Sequence, residues 1–489
     1  MEASEGLRVR AARGTMVNAA FEVGLHALGF LKGFIIAAFL TRSEYGLWGI
    51  LVITIGTLTW LKEVGISEKF VQQQEDDQEL AFQKAFTFDF ATNAVLMALM
   101  LALLPAFAAL YDQWELIAPG LVIIATLPAY SFRSPAWIFY RDLRYARQRT
   151  LEAVDPVVAF VVSIAGAVAG LGYWSLVIGL FCGAWAAAIA AVLVSPYPLR
   201  WRWHGATARE YFSFSWPLFV ASASGLLIPQ VSALAGNAFV GLAGVGALAL
   251  AATIATYTDK IDQVITWTLY PAICRVSDRV DLLFEAFVKT NRLTLMWGIP
   301  FGVGIALFAD SLVRFGLGDE WRPAVGIIQA FGLIAALNHI GFNWSAFYRA
   351  RGDTRPLAVF APLVLLAFLV FALPGMILWG LDGYAVGMAL MALVSLIVRT
   401  VYLRRLFRGF RMLPHAARAI APTVPAVAAV LLMRLLVDEH KAAGAAGEVV
   451  AYVAVTLAAT VYLERALLRE AFGYLGGRAK GTDAVPARA

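Results

Sequence analysis

The sequence predicts an all-α polytopic membrane protein. About fourteen transmembrane helices are expected, arranged as two six-helix bundles related by a pseudo-two-fold axis along the membrane normal, with two extra C-terminal helices. Three observations carry this. Of the 489 residues, 61% are hydrophobic and only 15% charged, and mean hydropathy is +0.73; a soluble domain has about 45–50% apolar and about 25% charged residues. The apolar residues fall in continuous runs long enough to span a hydrocarbon core, which takes about 20 residues per helix. Short sequence elements also recur at a nearly fixed offset. This composition excludes a soluble enzyme, a disordered chain and a nucleic-acid-binding protein, and unbroken runs exclude a β-barrel, whose strands alternate.

The expected spans, in order, are 14–41, 46–66, 84–108, 116–139, 152–170, 173–194, 213–236, 239–268, 291–313, 323–347, 357–379, 383–403, 418–437 and 447–464. The first is too long for a cleaved signal, whose apolar core is roughly 7–15 residues, so it is expected to remain as an anchor. About 30 of the 39 Lys and Arg lie in the N-terminus, the even-numbered connections and the C-terminal tail; only Arg42, Arg314, Arg322 and Lys441 lie on the other side. Cytoplasmic loops concentrate Lys and Arg, so both termini are expected inside. The net charge of +6 follows from the same bias and needs no nucleic acid. Cys182 and Cys274 are read as inert thiols, since two such residues make neither a disulfide framework nor a zinc cluster.

The repeat explains the two bundles. Ala38-Phe39-Leu40 recurs as Ala238-Phe239-Val240, and Tyr45-Gly46 as Val245-Gly246. Tyr140-Arg141 and Tyr348-Arg349 close the fourth and tenth spans, and Gly-Leu-Gly-Tyr (170–173) and Leu-Asp-Gly-Tyr (381–384) open the sixth and twelfth. A six-span unit inserts twice with the same orientation, which gives two like-oriented bundles able to rock about a shared cavity. The predicted units are 1–195 and 196–412, followed by the added helices at 413–468 and a tail at 469–489.

Charges within spans cost roughly 2.5–3.5 kcal/mol at mid-membrane on insertion scales and are the candidates for function. In the first span Asn18, Glu22, His26, Gly29, Lys32 and Gly33 fall on one helical face, expected to line a watery lumen. Asp89 and Asn93 lie one turn apart in the third span, and Arg133 is near the inner end of the fourth. The eighth span holds Tyr257, Asp259, Lys260 and Asp262, with Lys62 and Glu63 at the offset positions of Asp262 and Gln263. The seventh carries Ser213, Ser215, Ser222, Ser224, Gln230 and Asn237, with Pro217 and Pro229 as kink positions. The tenth carries Gln329, Asn338, His339, Asn343, Trp344 and Tyr348. Amides and aromatic rings of this kind suit sugar recognition; small polar groups also join helices. The lumen candidates are therefore Lys32, Lys260, Arg133, Asn338, Asn343, Trp344, Gln230 and Tyr257, and the ion-coupling candidates Glu22, His26, Asp89 and Asp259. No P-loop, G-x-S-x-G or H-E-x-x-H motif occurs, so no ATP hydrolysis, catalytic residue, metal or cofactor is expected.

The segments Phe39-Leu40-Thr41-Arg42-Ser43-Glu44-Tyr45-Gly46-Leu47-Trp48, Glu63-Val64-Gly65-Ile66-Ser67 with Val71-Gln72, Tyr270-Pro271-Ala272-Ile273-Cys274-Arg275-Val276-Ser277-Asp278, and Tyr348-Arg349-Ala350-Arg351-Gly352-Asp353 resemble Wzx-type oligosaccharide flippases. These form the polysaccharide-transporter branch of the multidrug/oligosaccharidyl-lipid/polysaccharide (MOP) exporter superfamily. The resemblance covers nearly the whole chain. It implies a MATE-like fold and export of undecaprenyl-diphosphate-linked oligosaccharide across the bacterial inner membrane for O-antigen, capsule or exopolysaccharide assembly. It also implies a cationic cavity, coupling to a proton or sodium gradient, and work beside a polymerase and chain-length machinery. Lys32 and Lys260 are then the groups to meet the substrate diphosphate. The rival readings are a multidrug or organic-cation antiporter of the same superfamily, which those two lysines oppose, and a membrane-embedded enzyme of glycan assembly, which the short outer loops oppose.

Overall fold

The computed structural model describes residues 21, 24–60, 66–142, 144–212, 227–353, 355–436 and 441–469; the side chains of 56–60, 68, 72, 259–272 and 275 lie outside this description. The described residues form helices and connections, with no strand. The first half holds α1 (Gly24–Ala37), α2 (Arg42–Trp60) and α3 (Gln78–Leu110). Next come α4 (the pieces Ile117–Ile124, Leu127–Phe132 and Pro135–Arg141), α5 (Tyr145–Val168) and α6 (Trp174–Leu193). One long helix, Leu227–Arg275, contains both α7 (227–240) and α8 (242–275), separated by Gly241 with φ 71° and ψ 175°. α9 (Val280–Leu312) and α10 (Val325–Asn338, then Trp344–Ala350) follow. α11 (355–378) and α12 (381–406) meet at Trp379 and Gly380, where the helical dihedrals break. α13 is a pair, Met412–Ile420 and Val424–Leu436, bent by 44°, and α14 is Ala442–Leu463.

Eight of these helices are long and apolar enough to cross a membrane among the described residues, or nine with the bent α13 pair. The difference from fourteen expected spans has a local cause. α7–α8 and α11–α12 are joined by connections of one or two residues, so each pair runs as a single helix. α1 is described over Gly24–Ala37. α10 is interrupted at 339–343, where Gly341 adopts φ 70°.

Local sequence explains the elements. Asp77 caps α3, its Oδ1 accepting from Leu80 N at 3.0 Å, and so satisfies a free N–H of the first turn. α5 contains Pro156 and α9 contains Pro300; such residues remove an intrahelical hydrogen bond and are tolerated where neighbours pack around them. The largest apolar core is shared by the two halves, with Ile36, Leu40 and Tyr45 packed in one cluster with Leu248, Ile254 and Trp321; two smaller clusters accompany it. One gathers Ile50, Leu51, Met100, Leu104 and Ile124 from α2, α3 and α4; the other gathers Leu283, Phe287, Phe347, Leu403 and Phe407 from α9, α10 and α12.

The repeat appears as a symmetric contact between α2 and α8. A Cβ on Gly46 would lie 2.1 Å from the carbonyl oxygen of Leu242; one on Gly246 would lie 1.9 Å from that of Arg42. Gly49 faces Ala249 in the same way. Gly46 and Gly246, Arg42 and Leu242, and Gly49 and Ala249 are each 200 residues apart, so the two repeats meet through equivalent positions. The contacts advance together along both helices, which therefore run parallel, as two like-oriented halves require. Only glycine allows the backbones this close.

Candidate functional site: a charged cluster between the halves

α1 stands between the halves. Its Gly29 and Gly33 rest on Tyr257 and Thr253 of α8. Phe30 meets the Tyr257 ring edge-on at 5.0 Å and the Phe301 ring at 6.3 Å. Lys32 of the same helix is half-buried and lies within electrostatic reach of the Asp155 carboxylate in α5. Asp155 also receives Arg133, Nη1 to Oδ2 at 2.7 Å, with exposures of 24% and 21%. The Arg133 guanidinium lies 5.6 Å from the centre of the Tyr130 ring. Three helices of the first half thus deliver two cations and one carboxylate to one place.

The chain is built locally to make this cluster. Arg133 occupies the break between the second and third pieces of α4, where the helix turns before Pro135. Asp155 precedes Pro156. Space for its carboxylate comes from α6, where a Cβ on Gly183 would lie 2.6 Å from Oδ1. Chemically, a guanidinium paired with a carboxylate and an ammonium within its electrostatic reach have spare donors. They suit a multiply charged oxyanion, for which a planar guanidinium offers a bidentate fork.

Asp89 belongs to a second buried group. It is 2% exposed, and its Oδ2 accepts from Asn93 Nδ2 at 3.0 Å and from the Ser131 hydroxyl at 2.6 Å. Ser131 and Asn93 also touch. This group joins α3 to α4 two residues before Arg133.

The other expected site residues are dispersed. Gln230 Nε2 donates to Ile53 O at 2.9 Å, and its Oε1 accepts from the Tyr111 hydroxyl at 3.4 Å. Asn237 Nδ2 donates to Tyr111 O at 2.6 Å. These bonds tie α7 to α2 and to the end of α3, with Tyr45 against Trp321 at 5.5 Å and Arg42 N donating to Glu320 Oε1 nearby. The two halves are therefore stitched at the Tyr111 end. At the other end the first half is tied to the segment 198–210: Lys69 pairs with Glu210 at 2.5 Å, Gln83 Nε2 donates to Pro198 O at 3.2 Å and Arg202 N donates to Thr87 Oγ1 at 2.8 Å, while Arg141 donates to the carbonyls of Phe70, Val71 and Gln73. Arg292 of the second half pairs with Glu464 at the end of α14.

Asn343 and Trp344 lie in the core of the second half. Trp344 is 3% exposed and stacks on Tyr402 at 5.6 Å, and Asn343 donates to Thr290 Oγ1 at 2.8 Å. The Asn338 carbonyl accepts from Arg399. His339 places its ring nitrogens 2.6 Å and 3.0 Å from the carbonyls of Ala335 and Thr258, linking α10 to α8. The structure does not bring these groups to the Lys32 cluster. His26 is half-buried on α1. Glu22, Lys62 and Glu63, and Ser213, Ser215, Pro217, Ser222 and Ser224, lie outside the described residues; so do the side chains of Asp259, Lys260 and Asp262. The residues that sequence reasoning missed are Asp155, Ser131 and Tyr111. Asp155 did carry a signal, a carboxylate beside a proline inside the fifth expected span.

Comparison with known proteins places this geometry. The profile of the family described as polysaccharide biosynthesis protein matches residues 35–326. The lipopolysaccharide biosynthesis protein WzxC of Escherichia coli (strain K12) is 19% identical over 407 residues, covering 81% of this chain and 80% of that protein. The succinoglycan biosynthesis transport protein ExoT of Rhizobium meliloti (strain 1021) is 21% identical over 313 residues, 63% of each chain. Among solved structures, the lipid II flippase MurJ in an inward closed conformation superposes with a TM-score of 0.69 at 12% identity, covering 92% of this chain and 99% of that one. An inward-facing MATE-family multidrug transporter of the MOP superfamily gives 0.64 at 13% identity, with 80% and 98% covered. An outward-facing one gives 0.54 at 15%, with 81% and 94% covered. The chain is a multi-pass membrane protein with the MOP-superfamily fold, and it belongs to the polysaccharide biosynthesis protein family.

Proposed function

We propose that this protein is a flippase for lipid-linked oligosaccharide. It carries undecaprenyl-diphosphate-linked repeat units from the inner to the outer leaflet of the bacterial inner membrane, for O-antigen, capsule or exopolysaccharide assembly. The observation that carries the reading is the Lys32–Arg133–Asp155 cluster beside the inter-half helix α1. Its net positive charge suits a diphosphate and opposes an organic cation as cargo, which is the reading the MATE likeness would otherwise favour. Lys260 is assigned to the same anion from α8, Tyr257 to the sugar and Gln230 to the closing of the path; Asn338, Asn343 and Trp344, held within the second half, are not assigned to the cargo.

Both termini lie in the cytoplasm in this proposal, which makes the Tyr111 end periplasmic. With the halves stitched there, the path is closed at the periplasmic end. Transport then consists of rocking of the lobes 1–195 and 196–412 about the α2–α8 contact, an alternating-access motion of like-oriented repeats. Glu22, His26, Asp89 and Asp259 are assigned to ion coupling, and the exported unit passes to a polymerase. The chain performs no bond chemistry.

Reconstitution tests this directly. Purified protein in liposomes is expected to move a lipid-linked oligosaccharide to the far leaflet without elongating it, and Lys32→Gln with Arg133→Gln is expected to reduce the rate by at least tenfold. Glycan elongation, or efflux of an organic cation with no movement of the lipid-linked sugar, would overturn the assignment.

A further inference from the structure

A second basic site lies away from the charged cluster, where the ends of α10, α11 and α12 come together. A cavity of about 450 Å³ is lined there by Tyr348, Arg351, Asp353, Arg355, Pro356, Val359, Tyr402, Arg405 and Leu406. We propose that it holds the phosphate headgroup of an anionic phospholipid, whose acyl chains lie along α11. The proposal is independent of the cargo assigned above.

Charge comes first. Arg351, Arg355 and Arg405 face one carboxylate, Asp353, and none of the three is in an ion pair among the described residues. Asp353 is partly committed, its Oδ1 accepting from the backbone N of Arg355 at 3.2 Å. The lining therefore keeps two positive charges in excess, with guanidinium forks matched to phosphate oxygens.

The aromatic groups set the shape. The Tyr348 hydroxyl donates to Tyr402 O at 2.8 Å, the two rings meet edge-on at 6.0 Å, and the Arg405 guanidinium lies 5.5 Å from the centre of the Tyr402 ring. Tyrosine and arginine in this combination are expected at the level of lipid headgroups. The volume is within the range of small-ligand pockets, about 300–1,000 Å³.

A third observation separates a lipid from free phosphate. Val359, Leu363, Leu366 and Val370 are 48%, 37%, 56% and 52% exposed. At 100° per residue they share one face of α11, and Val359 is also in the cavity wall. An apolar stripe thus begins at the basic cavity and runs along the helix. A free anion has no use for it, whereas a diacyl lipid fills both. Basic pockets between transmembrane helices on the cytoplasmic side are known as headgroup sites, and the proposed topology places this one there.

The test is native mass spectrometry of the full-length protein in detergent, with phosphatidylglycerol or phosphatidylcholine of equal chain length added. Phosphatidylglycerol is expected to remain bound to the wild type, and Arg351→Ala/Arg355→Ala/Arg405→Ala to lose it by at least tenfold. Leu363→Gln/Leu366→Gln is expected to weaken the diacyl lipid while leaving inorganic pyrophosphate binding unchanged. Arg405→Gln alone, at an exposed position, serves as the second variant if the triple fails to fold, and is expected to lower retention severalfold. Equal retention by wild type and arginine variants would overturn the site, as would equal retention of phosphatidylcholine. Pyrophosphate that displaces phosphatidylglycerol at equimolar concentration, with no effect of the α11 substitutions, would overturn the lipid assignment. Transport activity is not the readout, so failure here is distinguishable from failure of the flippase assignment.

Discussion

The residue that organises the charged cluster is Asp155. It is a half-buried carboxylate with a guanidinium at 2.7 Å and an ammonium within electrostatic reach. Exposed ion pairs contribute about 0–1 kcal/mol, and breaking a fully buried one costs about 3–5 kcal/mol; at about 20% exposure this pair falls between. Asp155→Asn leaves both cations without their carboxylate. Pyrophosphate is expected to bind more tightly to this variant than to the wild type, while translocation slows because the cargo is released less readily. Calorimetry together with a flipping assay checks both arms, and weaker pyrophosphate binding would remove Asp155 from the cluster's function. Asp89, besides its proposed coupling role, has a measurable structural effect. Ser131→Ala removes one of two donors to a carboxylate that is 2% exposed, and is expected to cost about 1–3 kcal/mol, read as a fall in melting temperature. Ser131→Thr, which keeps the hydroxyl, is expected to recover most of it.

At the scale of elements, the informative contact is the one between α2 and α8. Gly46 and Gly246 each face a carbonyl oxygen of the other helix, and no rotamer change relieves a clash with backbone. Gly46→Ala and Gly246→Ala are each expected to push the helices apart, lower the melting temperature and nearly abolish translocation. The symmetry makes a sharper statement: the two variants should have similar effects, and the double variant should cost less than their sum, because one displacement accommodates both methyl groups. Thermal melting of the three proteins checks this. α10 shows the opposite use of a glycine-bearing interruption. The break at 339–343 lets His339 and Asn343 turn inward to α8 and α9, joining the second half internally.

At the scale of the whole molecule, the halves are held together at the Tyr111 end through Gln230, Asn237, Tyr45 and Trp321. In the proposed exchange of the halves these bonds hold one arrangement and break in the other, so that they would bias the equilibrium between the two. Gln230→Leu/Asn237→Leu is expected to raise the population open at that end. With Cys182 and Cys274 replaced by Ser, a cysteine at Ala233, which is 3% exposed, should be labelled faster by a polar maleimide in this background. Unchanged labelling would show that the latch lies elsewhere.

The sequence by itself determined the class of protein, the order of its helices and the existence of two like-oriented halves. These follow from properties that accumulate along the chain: apolar runs, the Lys and Arg bias, and residues such as Gly46 and Gly246 that recur at a fixed offset. It also marked Lys32, Arg133 and Asp89 as costly charges needing partners. What it left undecided were the partners, because these come from helices distant in sequence. Asp155 is 123 residues from Lys32 and Ser131 is 42 from Asp89, and helical periodicity says which face a residue occupies but not which helix faces it. The same limit explains Trp344 and Asn343, whose polar and aromatic character reads equally well as a lumen wall or as a packed core until Tyr402 and Thr290 are placed beside them. The tertiary structure alone decided that Lys32 and Arg133 of the first half come to one carboxylate, and that Gln230 and Asn237 tie the halves at the Tyr111 end.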